Sequence, residues 1–244
     1  MARVCVDSDD FSIDANGVLH LNDDGVRGTQ RLVTFSEPGT ASFNPAQYPG
    51  LRAIRVVAVG GGGGGAGANA AAGETIVRAG GSGGGYSESV FSVADLPSGP
   101  LAVVVGAAGT GATGNAPGGN GGDSSFGGNL VVAPGGEGSS ASQDSGTSGA
   151  FVSGTVGPTA GTGQIRLGGG AGGGAFRLDG DSGISGVGGD AGGGMGTGGF
   201  ARASEGNPGG ERGFGSGGAG AISKGGNESG GDGARGLVAV YLQF

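Results

Sequence analysis

Six consecutive glycines at 60–65 follow directly on the apolar run LRAIRVVAV (51–59). Ile54, Val56, Val57 and Val59 are β-branched, and apolar residues at successive positions read as a strand buried on both faces. Six glycines suit neither a helix nor a strand, because each gives up backbone entropy and has no side chain to pack. The same transition recurs in LAVVVGAAGTGATG (101–114) and runs in reverse in GGDGARGLVAVYLQF (230–244). With 69 Gly and 9 Pro in 244 residues, and no strict period, composition alone usually indicates disorder. Here the glycine tracts are punctuated by strands instead. At 13% charged and 5% aromatic, the chain has too few large side chains for an ordinary core from end to end.

A net charge of −8 argues against nucleic acid, whose phosphates call for clustered Lys and Arg. Cys5 is the lone cysteine, so there is no disulfide framework, and a small apolar filler is its expected role. No basic n-region with an apolar h-region opens the chain, and no apolar run approaches 18 residues. Neither a Sec signal nor membrane insertion is expected.

Residues 1–30 form a distinct acidic segment. FSIDANGVLHL (11–21) reads as a hairpin turning at Asn16-Gly17, surrounded by Asp7, Asp9, Asp10, Asp14, Asp23 and Asp24. Their spacing does not match a calcium loop, so a solvated acidic surface is expected. A two-stranded hairpin is marginal in water and calls for a partner chain. LVTFS (32–36) and TASFN (40–44) flank Glu37-Pro38-Gly39 and read as a second hairpin. Further strands are expected at 86–93, 101–105, 129–133 and 236–243. About seven short strands without helical periodicity indicate an all-β sandwich.

Ten glycine-rich tracts lie between them, near 60–67, 80–85, 106–114, 118–122, 134–138, 154–163, 168–174, 186–199, 209–220 and 225–236. The conformation that suits them is polyproline II, in its all-glycine form polyglycine II, extended at about 3.1 Å per residue with no internal hydrogen bonds. Side-by-side threads then satisfy one another's backbone groups. The fold class expected is therefore a small β-sandwich base continued by a bundle of about ten polyglycine II helices, with essentially no α-helix. If tracts alternate up and down from the strand at 51–59, the last descends into the strand at 236–243, as a sandwich requires. Turns then fall at the far end near 68–79, 115–117, 139–153, 175–185 and 221–224. Near-end turns fall at 94–100, 123–129, 164–167 and 200–208.

VVAVGGGGGGAG satisfies GxGxxG after a strand, but no helix follows and Glu74 comes too early for the ribose-binding acid. GGNGGDSSF (118–126) falls short of a calcium β-roll repeat, since Ser125 occupies the apolar position and no tandem copy follows. A collagen period is absent. His20 is the single histidine, so no triad, zinc site or thiol site assembles. Asp179 and Asp181 have the separation of an acid–base pair, a spacing common in loops. No enzyme activity, cofactor or metal is expected.

The ordered series FxxPGTASFNP, a strand into polyglycine, SGGGYSESVFSV, LAVVVGAAGTG, GGNGGDSSFG, LVVAPGGEG and GARGLVAVYLQF resembles the glycine-rich domain of bacteriophage tail fibre and minor tail proteins. The resemblance covers roughly 31–244, leaving 1–30 as an attachment or trimer-contact segment. It implies a virion protein of the tail tip or tail fibre, forming a homotrimer and docking on other tail-tip proteins through residues 1–30. It also implies a receptor-binding function in host adsorption, with distal loops that recognise a host cell-surface glycan or protein. The alternative is a structural tail component that caps or spaces its neighbours. Glycine tracts present only backbone, so side-chain chemistry concentrates where they turn, on loops held by a rigid scaffold. The residues expected to meet a receptor are Asn69, Glu74, Arg78, Phe151, Phe176, Arg177, Asp179, Asp181 and Lys224.

Overall fold

A computed structural model of the chain describes residues 11–13, 19–21, 30–204 and 212–244. The first half of the chain contributes β1 (Phe11–Ile13), β2 (Leu19–Leu21), β3 (Gln30–Phe35), β4 (Gly39–Phe43), β5 (Ala53–Val59), β6 (Ala68–Asn69), β7 (Ile76–Val77), β8 (Tyr86–Ser92) and β9 (Leu101–Val105). The second half contributes β10 (Ser124–Phe126), β11 (Val131–Ala133), β12 (Ala150–Val152), β13 (Ile165–Leu167), β14 (Ala175–Arg177), β15 (Gly183–Ile184), β16 (Ile222–Ser223), β17 (Asn227–Glu228) and β18 (Leu237–Gln243). The protein is all-β, with only three-residue 3-10 turns as helix among the described residues. β1 and β2 pair antiparallel, Phe11 opposite Leu21. The expected turn at Asn16-Gly17, the flanking aspartates and Cys5 lie outside the described residues.

Two sheets form the base, ordered β13-β8-β5-β18-β3 and β11-β10-β9-β4. Period-two alternation along β5 sends Ile54, Val56 and Ala58 inward against Phe43, Leu101, Val103, Val105, Phe126 and Val131 of the other sheet. The opposite face of β5 is also covered. Val57 and Val59 pack with Leu237, Ala239, Ala191, Met195 and Phe214. Burial on both faces is why that strand reads as a continuous apolar run.

The hairpin expected across Glu37-Pro38-Gly39 does not form. β3 pairs with β18 in the first sheet, whereas β4 pairs with β9 in the second. The connection carries the chain from one sheet to the other, with Gly39 at φ 131°, and Arg235 pairs with Glu37 at 2.9 Å across it. Turn residues signal a reversal of direction but not whether the two arms share a sheet.

Beyond the sandwich the backbone changes its pairing rule. Gly60 and Gly63 donate to Gly85 and Ser82, Gly61 and Gly64 to Gly122 and Gly119, and Gly62 and Gly65 to Ala234 and Gly231, all at 2.8–3.0 Å. Acceptance repeats the pattern. Gly61 and Gly64 accept from Gly136 and Ser139, Gly62 and Gly65 from Gly109 and Ala112, and Gly63 and Ala66 from Gly218 and Ala221. Each row repeats every three residues, the period of a polyproline II-type helix. Tract 60–65 therefore sits at the centre of six others, donating to three antiparallel tracts and accepting from three parallel ones.

This position dictates the glycines. A Cβ would lie 1.9 Å from Ser216 O at Gly62 and 1.9 Å from Ala219 O at Gly65. Marginal tracts need glycine only where they face inward. In 106–113 the exposed residues are Ala107, Thr110 and Thr113, and in 117–123 they are Pro117, Asn120 and Asp123. Tracts 80–85 and 215–221, like 60–65, are buried throughout.

The alternating directions inferred above agree with these rows, with one correction. The stretch 186–199 is not a single tract. It runs down to a 3-10 turn at Gly192–Gly194 and then returns, since Gly188 N donates to Gly199 O, Ala191 N to Gly196 O and Ser185 N to Arg202 O. Gly193 and Gly194 there have φ of 68° and 72°. Arg202 therefore lies at the far end, and the near-end turn expected at 200–208 falls instead at 192–195. A glycine run keeps its composition through a reversal, so the reversal left no mark in the pattern.

The turn rests on a polar network on the sheet surface. A Cβ on Gly193 would meet the Tyr86 ring at 2.6 Å. The Tyr86 hydroxyl donates to Glu88, whose carboxylate also accepts from Arg55 Nε at 2.6 Å and Nη2 at 3.0 Å. The hydrogen bond from Arg55 holds the Glu88 carboxyl below its usual range, against a smaller opposing effect of burial. Burial, then the bond to Glu88, pushes the Tyr86 hydroxyl up to about 12. A depressed carboxyl stabilises the fold above its unfolded-state value and loses that contribution as pH falls through the folded value. Glu88→Gln is accordingly expected to lower the urea midpoint at neutral pH and to flatten its decline below the ordinary glutamate range. An unchanged acid slope in the variant would show that Glu88 does not contribute.

Candidate functional site

The loops at the end of the bundle away from the sandwich converge. β7 pairs with β16 and β6 with β17, while Thr75 bridges Gly146 and Thr113 bridges Ser229. β12, β14 and β15 make a three-stranded antiparallel sheet that joins segments 150–152, 175–177 and 183–184. Val77, Ala79, Val152, Ala175 and Ile222 form its small apolar underside.

Its outer face carries large apolar side chains. Phe151 lies opposite Phe176, and Phe176 opposite Ile184. The two rings have centroids 4.9 Å apart at 48°, a tilted arrangement that aromatic quadrupoles favour. Phe151 is 59% exposed, Phe176 50% and Ile184 47%, with Leu178 more exposed still. A shallow depression lined by Ser140, Ser142, Gln143, Ala150, Phe151, Val152 and Ser153 adjoins it.

The polar residues expected at this end divide into two groups. Arg78 is 0% exposed. Its Nε donates to Gly67 O at 2.9 Å, Nη1 to Gln143 O at 2.7 Å and Nη2 to Asn115 Oδ1 at 2.8 Å. Burial pushes this guanidinium below the usual arginine range, opposed by the field of Asp144. Arg177 is half-buried, and its donors are directed at Ser148 O, Thr75 O and Asp144 O at 2.7–2.9 Å. Both arginines hold loops together, so Arg78 is corrected from a surface contact to an internal clamp. In an all-glycine scaffold the loop carbonyls have few side-chain donors, and a guanidinium supplies several in a fixed fork.

Asn69, Asp179 and Asp181 are exposed, and Glu74 and Lys224 partly so. Asn69 exchanges two hydrogen bonds with the Asn115 carboxamide, at 2.9 and 3.0 Å. Asp179 accepts from the Asp181 N–H at 2.8 Å. The Ser182 hydroxyl, first, and that N–H hold its carboxyl below the usual range, with a further contribution from Lys224. Asp179 and Asp181 thus share a turn. Among the described residues no group of three His, Cys, Asp or Glu is placed to hold a metal ion.

Sequence reasoning placed 139–153 and 175–185 at this end but missed the sheet joining them, and with it Ile184 and Leu178. The short runs AFV (150–152) and AFR (175–177) were its signal. Asn115 and Gln143, which anchor Arg78, left no trace in the pattern, since polar side chains in turns are common. The family model described as glycine-rich domain matches residues 37–243. No curated protein matches the chain.

Proposed function

Because the chain belongs to the glycine-rich domain family, whose model spans most of its length, we propose that it is a bacteriophage minor tail protein or tail fibre tip that recognises the host surface through the far end of its bundle. The observation that carries this reading is the exposed Phe151–Phe176–Ile184 row on a sheet built where the loops converge. Exposed aromatic residues on a rigid frame, on the face turned away from its small apolar underside, suit recognition more than folding. In this reading residues 1–30 attach the domain to a neighbouring tail component within a three-fold assembly. The receptor is a host glycan or protein that meets the apolar row, with Asp179 and Asp181 at its rim. A spacer or capping role would leave that row unused.

The double replacement Phe151→Ala and Phe176→Ala is expected to reduce host adsorption at least tenfold while leaving virion assembly normal. The rings are half exposed, so their loss leaves the fold largely intact. Normal assembly with unchanged adsorption would transfer the protein to the structural role.

A further inference from the structure

Tract 153–161 differs from every other described tract. Its Thr155 carbonyl accepts from Gly172 N at 2.9 Å, but none of its own N–H groups donates within the described residues. Elsewhere along the margin, several N–H groups are capped by a side chain of a neighbouring tract. Asp232 Oδ1 accepts from Gly111 N at 2.6 Å, Asn120 Oδ1 from Gly138 N at 2.9 Å, Asp123 Oδ1 from Gly135 N at 2.8 Å and Asp190 Oδ1 from Gly198 N at 2.8 Å. Asn120 and Asp123 are three residues apart, as are their two targets. The side chains thus reproduce, one turn at a time, the carbonyl row of an absent neighbouring tract. They close the lattice as inward charges and short strands close the edge of a sheet.

Tract 153–161 has no such caps. No charged residue and no asparagine lies between Asp144 and Arg166. Val156 instead points outward, 74% exposed. Beyond it lies β13, an edge strand of the first sheet, where Ile165 and Leu167 are exposed and the exposed Arg166 between them brings a cation but no carboxylate.

We propose that this margin is where copies of this chain associate, tract 153–161 of one against its counterpart in the next. Open donors on a polyglycine II edge are a template for another tract, as unpaired groups on a β-edge are for another strand. A second copy carries a tract with the same three-residue period, so successive rungs stay in register along the contact. Charge selects this face among the margins. The other outward faces bear Asp123, Glu137, Asp190 and Asp232, and at a net charge of −8 they repel another copy. Along 153–161 two chains meet without bringing carboxylates together. The contact runs along the side of the bundle and leaves the Phe151–Phe176 end available.

Sedimentation equilibrium of the full chain tests this. The wild type is expected at a multiple of its 22.5 kDa mass, and Val156→Glu combined with Thr159→Glu at the single mass with an unchanged melting curve. Thr110→Glu, placed on the opposite margin, is expected to leave the assembly intact. Amide exchange gives the second readout, with 153–161 protected in the wild type and unprotected in the double variant. A monomeric wild type, an assembly that survives the double variant, or equal dissociation by Thr110→Glu would each overturn the proposal.

Discussion

Gly62→Ala is expected to melt the domain at a much lower temperature than the wild type, with a loss of about 3–5 kcal/mol. The new methyl carbon would lie 1.9 Å from Ser216 O, 2.4 Å from its carbonyl carbon and 2.8 Å from Gly215 O. All three are backbone atoms, so no side chain can rotate away. Tract 60–65 cannot shift either, being held on six sides at 2.8–3.0 Å. Relief requires tracts 60–65 and 216–221 to separate, which breaks bonds such as Gly218 N to Gly63 O at 2.8 Å. Overpacking typically costs about 1–3 kcal/mol, and each lost hydrogen bond about 1 kcal/mol more. Against a total stability of about 5–15 kcal/mol, that decides whether the domain folds. Thr110→Ala, on an outward position, is expected to change stability by no more than about 0.5 kcal/mol. Equal melting temperatures for the two variants would show that the lattice tolerates side chains at its centre.

Arg78→Met is expected to leave the sandwich folded and to loosen the far end. The substitution keeps much of the volume but strands three acceptors, Gly67 O, Gln143 O and Asn115 Oδ1. The acceptors left behind are neutral, and a buried acceptor without its donor costs about 1–3 kcal/mol. The affected segments are those the guanidinium joins. Amide exchange is expected to accelerate in 67–79, 115–117 and 143–152 while β5 and β18 keep their protection. Host adsorption is expected to fall with it, although Arg78 is buried beneath the surface, since the Phe151 strand is supported by the same loops. Unchanged exchange in those segments would show that the clamp is dispensable.

The three-residue period was legible in principle. GAAGTGAT (106–113) and PGGNGGD (117–123) set their outward residues three apart, and the unbroken runs at 60–65 and 80–85 mark tracts buried on all sides. The sandwich strands were legible too, because β-branched runs such as 53–59 and 237–243 carry their own conformational preference. The candidate site was legible only as a region. Its loops could be placed by counting reversals, but the arginine clamp could not. Arg78 and Lys224 look alike in a turn until the packing around them is known.

The sequence by itself determined where strands give way to glycine and how the tracts from 60–67 to 168–174 alternate in direction. These depend on local terms, the presence or absence of a Cβ and the preferences of branched side chains. Only the tertiary structure decided that β3 and β4 belong to different sheets, that 186–199 folds back on itself, and that Arg78 is internal. The reason is physical. Polyglycine II tracts are chemically alike along their length and bond in three directions at once, so nothing within a tract names its neighbours. The lattice, and the loops that set which tract lands where, supply that choice.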